Sequence, residues 1–136
     1  MTKVAIHQAF IETNYIVTIS NEKSITLNVN TTSEELEKQF PNLQSWCFIT
    51  AWNPLPEVLA LEENKKRNQL LENDIQNLGL KYLKGIGISA DENWSEESFF
   101  ILDCPLQIAK DLAIKYGQLA FLYGEKKAEA NLVYLK

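Results

Sequence analysis

WCFITAWNP, running from Trp46 to Pro54, is the stretch on which the fold turns. Trp46 to Trp52 is almost wholly apolar, with no alternation of polar and apolar positions. A strand with two apolar faces belongs in the middle of a sheet that is covered on both sides. Asn53-Pro54 then ends it. Downstream, residues 57–78 read as one long helix, with Leu71, Ile75 and Leu78 as a buried stripe and Gly79 as a C-terminal cap. Lys81–Ile88 reads as a strand carrying Tyr82, Ile86 and Ile88, followed by a polar loop over Ser89–Glu97. Phe99–Leu102 is a second wholly apolar strand. Asp103-Cys104-Pro105 opens a helix with Pro at its first position, whose inner face is Leu106, Ala109, Leu112, Ala113 and Tyr116. Gly117 closes it, and Leu119–Tyr123 is the next strand.

The order strand, helix, strand, strand, helix, strand is that of a ferredoxin-like split β-α-β unit. Its first and third strands are central, which suits the two that are apolar throughout. Lys81 and Lys84 on the second suit an edge. Upstream, residues 2–12 form a short helix. Tyr15–Ile19 and Ile25–Val29 form a hairpin across a polar link. Thr32 and Glu35 make a capping box for a short helix carrying Leu36 and Phe40, which Pro41 ends. Leu132–Leu135 is a last strand. The expected fold is therefore α+β: a ferredoxin-like core with an antiparallel sheet and helices on one face, an N-terminal helix and β-hairpin extension, and an extra C-terminal strand. We treat 1–136 as a single domain, divided into the extension (1–44), the core (45–124) and the C-terminal strand (125–136). The hairpin either extends the sheet or covers its open face.

Charge narrows the partners. Thirteen basic residues stand against 18 acidic ones, for a net charge of −5. That balance disfavours duplex nucleic acid and anionic membranes. Lys65-Lys66-Arg67 and Lys126-Lys127 are the basic clusters, and each reads as solvated surface. No apolar run has the length of a membrane span, and the apolar stretch near the N-terminus is too short for a secretory leader. Two cysteines, Cys47 and Cys104, are not a disulfide scaffold. The expectation is a cytoplasmic protein with reduced thiols. A single histidine, His7, supports neither the common zinc sites nor a His-based triad, so no metal or cofactor is expected. Gly85-Ile-Gly87-Ile-Ser-Ala90 matches a dinucleotide-binding string, but a loop follows it where a helix should begin. Its glycines fit close strand approach better.

A candidate site comes from the place where the helical stripe changes character. Traced back from Leu71, it lands on Asn64 and on Arg67 or Asn68, within eight consecutive polar residues from Glu62 to Gln69. In the expected topology, Thr50, Asn53, Glu97, Ser98 and Gln118 gather at the same end of the sheet, and Asn64 and Arg67 lean toward it. The structural alternatives are specific. Asn53 can serve as a turn cap, and Arg67 as the buried ion-pair partner of Glu97. Trp46 and Trp52 read as core, leaving Trp94 as the exposed aromatic able to stack a ligand. Glu96 reads as surface and Glu97, beside the apolar strand, as the candidate acid.

Four pieces occur in a fixed order: Phe48–Pro54, Glu63-Asn64 with Arg67-Asn68, Glu97-Ser98-Phe99, and Tyr116-Gly117-Gln118 with Ala120. Together they resemble an uncharacterised bacterial family, domain of unknown function 3293, over nearly the whole chain. The resemblance implies no activity; it marks those positions as characteristic. The expected function is binding of a small polar or anionic ligand by Thr50, Asn53, Asn64, Arg67, Glu97, Ser98 and Gln118, with Arg67 and the helix N-terminus supplying positive potential. A second reading is an interaction or regulatory module acting through a sheet edge. There the apolar side of Leu132–Leu135 would meet a partner, including another copy of the chain. A third is an enzyme using Glu97 as base and Arg67 as electrophilic partner.

Overall fold

A computed structural model describes residues 2–54 and 57–135. The fold is α+β. The helices are α1 (Lys3–Glu12), α2 (Glu34–Gln39), α3 (Leu61–Asn77) and α4 (Leu106–Lys115). The strands are β1 (Asn14–Ser20), β2 (Lys23–Leu27), β3 (Ser45–Ile49), β4 (Tyr82–Ile88), β5 (Ser95–Leu102), β6 (Ala120–Glu125) and β7 (Asn131–Tyr134). All seven strands form one sheet in the order β2-β1-β4-β5-β3-β6-β7. Every pairing is antiparallel.

Alternation along the strands builds two cores, one on each face of the sheet. Cys47, Ile49, Phe99, Ile101 and Phe121 face α3 and α4, and meet Leu71, Ile75, Ala109, Leu112 and Tyr116. Their neighbours Trp46, Phe48, Phe100 and Leu122 point the other way. There they meet Val17, Ile25 and Leu27 of the hairpin and Leu36 of α2. This is why β3 has no polar face. The hairpin both extends and covers. β1 pairs with β4, and the sheet then curls until its outer strands approach each other. The Asn30 N–H donates to Ala130 O (2.8 Å) and the Ala130 N–H to Thr31 O (2.9 Å), joining the segments that flank β2 and β7.

Two glycines permit the curl. A Cβ at Gly85 would stand 2.7 Å from Phe48 Cε2 and from Ile16 O. One at Gly124, opposite Trp46, would stand 2.3 Å from the indole. Both aromatic side chains therefore lie against neighbouring backbone on the concave face, and the glycine string of β4 is a matter of close approach.

Several expectations need correction. β4 is not an edge, because β1 supplies its second neighbour. The lysines do not decide, since Lys84 points outward while both backbone edges of β4 are bonded. β5 begins at Ser95, so the expected polar loop over Ser89–Glu97 shortens to a turn ahead of β5. β3 stops at Ile49 because side chains capture the next backbone groups. α3 starts at Leu61 rather than at residue 57, because Asn53 Oδ1 holds the Leu59 N–H outside the helix (2.9 Å). Ser33, not Thr32, caps α2, accepting from the Leu36 N–H. Leu132, Val133 and Leu135 pack against the two cores, so the apolar residues of the last strand are already used.

Amide exchange should follow this order of burial. Residues 99–102 should exchange near the global unfolding limit. Residues 83–86 should be comparably protected, and the β2 amides should exchange fastest of the sheet. Fast exchange across β4 would contradict its interior position.

Candidate functional site

The polar half of α3 is aimed at the backbone of the segment that follows β3. Asn68 Oδ1 accepts the Ala51 N–H (2.8 Å), and its Nδ2 donates to Glu97 O (2.8 Å). One buried amide thus bridges the ends of two central strands just past their ladder. Thr50 adds a second bridge: its hydroxyl donates to Glu97 O (2.6 Å) and accepts from the Trp52 N–H (3.0 Å). One turn earlier, Asn64 Oδ1 accepts the Asn53 N–H (2.8 Å) and Asn64 Nδ2 donates to Asn53 Oδ1 (2.7 Å). Asn53 itself has φ +38°, a left-handed conformation that asparagine tolerates better than most residues. Arg67 Nε donates to Ala51 O (2.7 Å), and Arg67 Nη2 donates to Tyr116 O at the end of α4. Gln118 Nε2 donates to Trp52 O (3.1 Å).

The structure therefore does bring Thr50, Asn53, Asn64, Arg67, Gln118 and the backbone of Glu97 to one end of the sheet, and it spends most of them there. The guanidinium is committed to two carbonyls. Arg67 and Glu97 do not pair: among the described residues the one ion pair is Lys115–Asp74 (2.8 Å). There, Lys115 and Tyr116 hold the Asp74 carboxyl below the usual carboxylate range. Glu97 is exposed.

On the opposite, concave face, the same end of the sheet holds a small cavity of about 50 Å³. Thr50, Ser98 and Gln118 line it, together with Phe10, Thr13, Tyr15, Phe48, Trp94 and Glu96. Glu96 and Ser98 lie on the same face of β5 as Phe100, two residues apart at each step, which aims both into the curl. The Ser98 hydroxyl donates to Glu96 O (3.1 Å). The Tyr15 hydroxyl donates to Phe10 O (3.1 Å). Trp94 stands at the rim, 44% exposed, while Trp46 and Trp52 are buried. Its loop is rigidly built: the Asp91 carboxylate accepts from the Ser89 hydroxyl (2.7 Å) and the Asn93 N–H (3.0 Å), and the Trp94 N–H donates to Ser89 Oγ (3.1 Å).

Among the described residues nothing donates to the Glu96 carboxyl. No buried side-chain oxygen or nitrogen of these residues lacks a partner, so the Glu96 carboxyl oxygens keep some contact with solvent. Burial without compensation pushes this carboxyl up to about 8. Expectation and structure thus differ on the acids. Glu96, read as surface, is the enclosed one, and Glu97, read as the candidate, faces solvent. The period of two through Phe100, Ser98 and Glu96 was the available signal.

Two predictions follow from these placements. Asn68→Ala strands the Ala51 N–H and leaves Glu97 O one donor short. It should cost about 2–4 kcal/mol in a urea melt, and Arg67→Lys should fall well short of wild type because a single ammonium cannot span two carbonyls. Glu96 gives a pH dependence of known sign. A carboxyl raised to about 8 when folded binds a proton that the unfolded chain has released. The contribution of Glu96 to stability should be greatest below the usual glutamate range and fall as pH rises from there through 8, by roughly a few kcal/mol. Glu96→Gln should flatten that fall in melts at pH 5, 7 and 9.

Comparison with known proteins adds the family. No curated protein and no solved structure matches the chain. A family model, described as a protein of unknown function (DUF3293), matches residues 49–121, from the last residue of β3 into β6. That span contains the α3 clamp, the Trp94 turn, Glu96, Ser98 and Gln118, and it covers more than half of the sequence, so the chain belongs to the DUF3293 family.

Proposed function

We propose that this protein binds a small polar molecule in the concave end of its curled sheet, between Trp94, Glu96 and Gln118. One observation carries the proposal: an acid with no hydrogen-bond partner among the described residues lines a cavity whose other walls are mainly aromatic and aliphatic side chains, with Gln118 and hydroxyls that are already bonded. Desolvating a carboxyl costs free energy unless something pairs with it, and a ligand can be that partner. The clamp of Asn64, Arg67 and Asn68 supports this indirectly, since it fixes the strand ends that form one wall. An anionic ligand would need the guanidinium, which is held by Ala51 O and Tyr116 O and does not line the concave cavity. We therefore favour a polar, non-anionic ligand and move the site from the α3 face to the concave face.

Two finer points belong to the same proposal. We read the segment from β3 to β6 as a ferredoxin-like unit, supported by the local order β4-β5-β3-β6 and by α3 and α4 sharing one face. We also assign the protein to a bacterial cytoplasm. The family resemblance supports the first part, and the free, buried state of Cys47 and Cys104 supports the second.

A fragment screen by NMR tests the binding proposal. Hits should shift the Trp94 indole and the residue 96–98 amides. They should be lost in Ala120→Leu, which fills the cavity from β6. Hits that persist in Ala120→Leu, or that cluster on α3, would place binding elsewhere.

A further inference from the structure

We infer that the concave cavity selects a cationic amino head group, a primary ammonium of about the size of methylammonium. This rests on the binding proposal above and adds the charge of the ligand.

Four features of the cavity point to a cation. The first is the sign of its one ionisable anchor. Glu96 is an acid, and among the described residues no lysine or arginine lines the cavity. A partly desolvated carboxylate is stabilised by an opposite charge, and among the described residues Glu96 has none paired with it. Second, four aromatic side chains line the cavity: Phe10, Tyr15, Phe48 and Trp94. The negative face of an aromatic ring attracts a cation and gives an anion nothing. Third, the remaining polar atoms suit a donor-rich ligand. Gln118 uses its amide nitrogen on Trp52 O, which leaves its carbonyl oxygen as an acceptor. An ammonium brings three donors and no acceptor. Fourth, size limits the choice. About 50 Å³ is room for roughly three or four water-sized spheres. That admits a small head group and leaves a larger body outside, against the exposed part of Trp94.

The titratable groups around Glu96 leave it as the group that sets the pH response. From β1 it faces Tyr15, which burial holds protonated well above its ordinary range. Tyr134 on β7 lies near Tyr15 and is shifted in the same direction, also by burial. His7 of α1 hydrogen-bonds the Tyr134 hydroxyl and so reaches the cavity only through it. Between pH 7 and 9 the carboxyl goes from mostly protonated to mostly ionised. A cation needs the ionised form, so its apparent affinity should rise with pH, by about tenfold over that range. A neutral acceptor ligand would instead use the protonated acid as a donor and weaken over the same range. The direction of the pH response therefore distinguishes the two.

The test is an NMR titration of the intact protein with methylammonium chloride, acetamide and sodium acetate, at pH 7 and 9 and at constant ionic strength. The probes are the Trp94 indole and the Glu96 and Ser98 amides. Expected is saturable binding of methylammonium alone, about tenfold tighter at pH 9 and absent in Glu96→Gln. Binding of acetamide or acetate without methylammonium would overturn the inference about charge and leave the polar-ligand proposal standing. Methylammonium binding that weakens with pH, or that survives in Glu96→Gln, would also overturn it. No saturable shift with any of the three, together with no hit in the fragment screen, would overturn both. Glu96→Gln keeps the size and shape of the side chain, and its fold is checked by an unchanged amide spectrum away from the cavity.

Discussion

The Asn68 amide holds the structure together at the point where the sheet would otherwise fray. β3 and β5 lose their ladder at Ile49–Phe99, and the next groups, the Ala51 N–H and Glu97 O, turn toward α3. Without Asn68 the Ala51 N–H would be stranded under the helix and Glu97 O would keep only the Thr50 hydroxyl. A single side chain with one acceptor and one donor at the right separation satisfies the pair. Asn64 and Arg67 repeat the arrangement on either side, and the whole segment from Thr50 to Asn53 is fixed by side chains instead of by a strand. This explains why eight polar residues interrupt an amphipathic helix. The polar stripe continues the buried face; it packs against backbone where the lower half packs against hydrocarbon.

With that end fixed, the sheet can carry two cores of different character. The convex face is closed by two helices over an apolar core, with the polar clamp of α3 at one end. The concave face is closed by the sheet itself, rolled over so that the hairpin covers what the helices do not. A rolled sheet narrows unevenly, and its end between α1 and the Trp94 turn is left with a small, largely aromatic space that holds a few polar groups. Glu96 sits in that space at a cost to stability that grows as pH rises from the usual glutamate range through 8. Retaining an uncompensated acid where glutamine would fit is the kind of local disagreement that marks a functional position. Family membership is consistent with that reading without adding chemistry, since the matched span includes both the clamp and Glu96.

Much of the fold was legible in the chain. The absence of alternation over Trp46–Ile49 and Phe99–Leu102 required two covered faces, and both strands are central in the sheet. The convergence of Thr50, Asn53, Asn64, Arg67 and Gln118 followed from element order alone. The sequence did not reveal what those groups face. Amide and guanidinium groups can bind a ligand or a carbonyl equally well, and the choice depends on where the backbone runs within about 3 Å.

What the sequence determined by itself was periodicity: which residues share a face, which strands lie inside, and where the helical stripe turns polar. Only tertiary structure decided the partners across space. The pairing of β1 with β4 made an expected edge strand internal, because a hairpin distant in sequence found its free backbone groups. The exchange of roles between Glu96 and Glu97 has the same origin. Adjacent residues on a strand point to opposite faces, and whether a face is solvent or an enclosed cavity depends on how far the sheet curls. On that curled face Gly85 and Gly124 yield space to Phe48 and Trp46, contacts that no local pattern encodes.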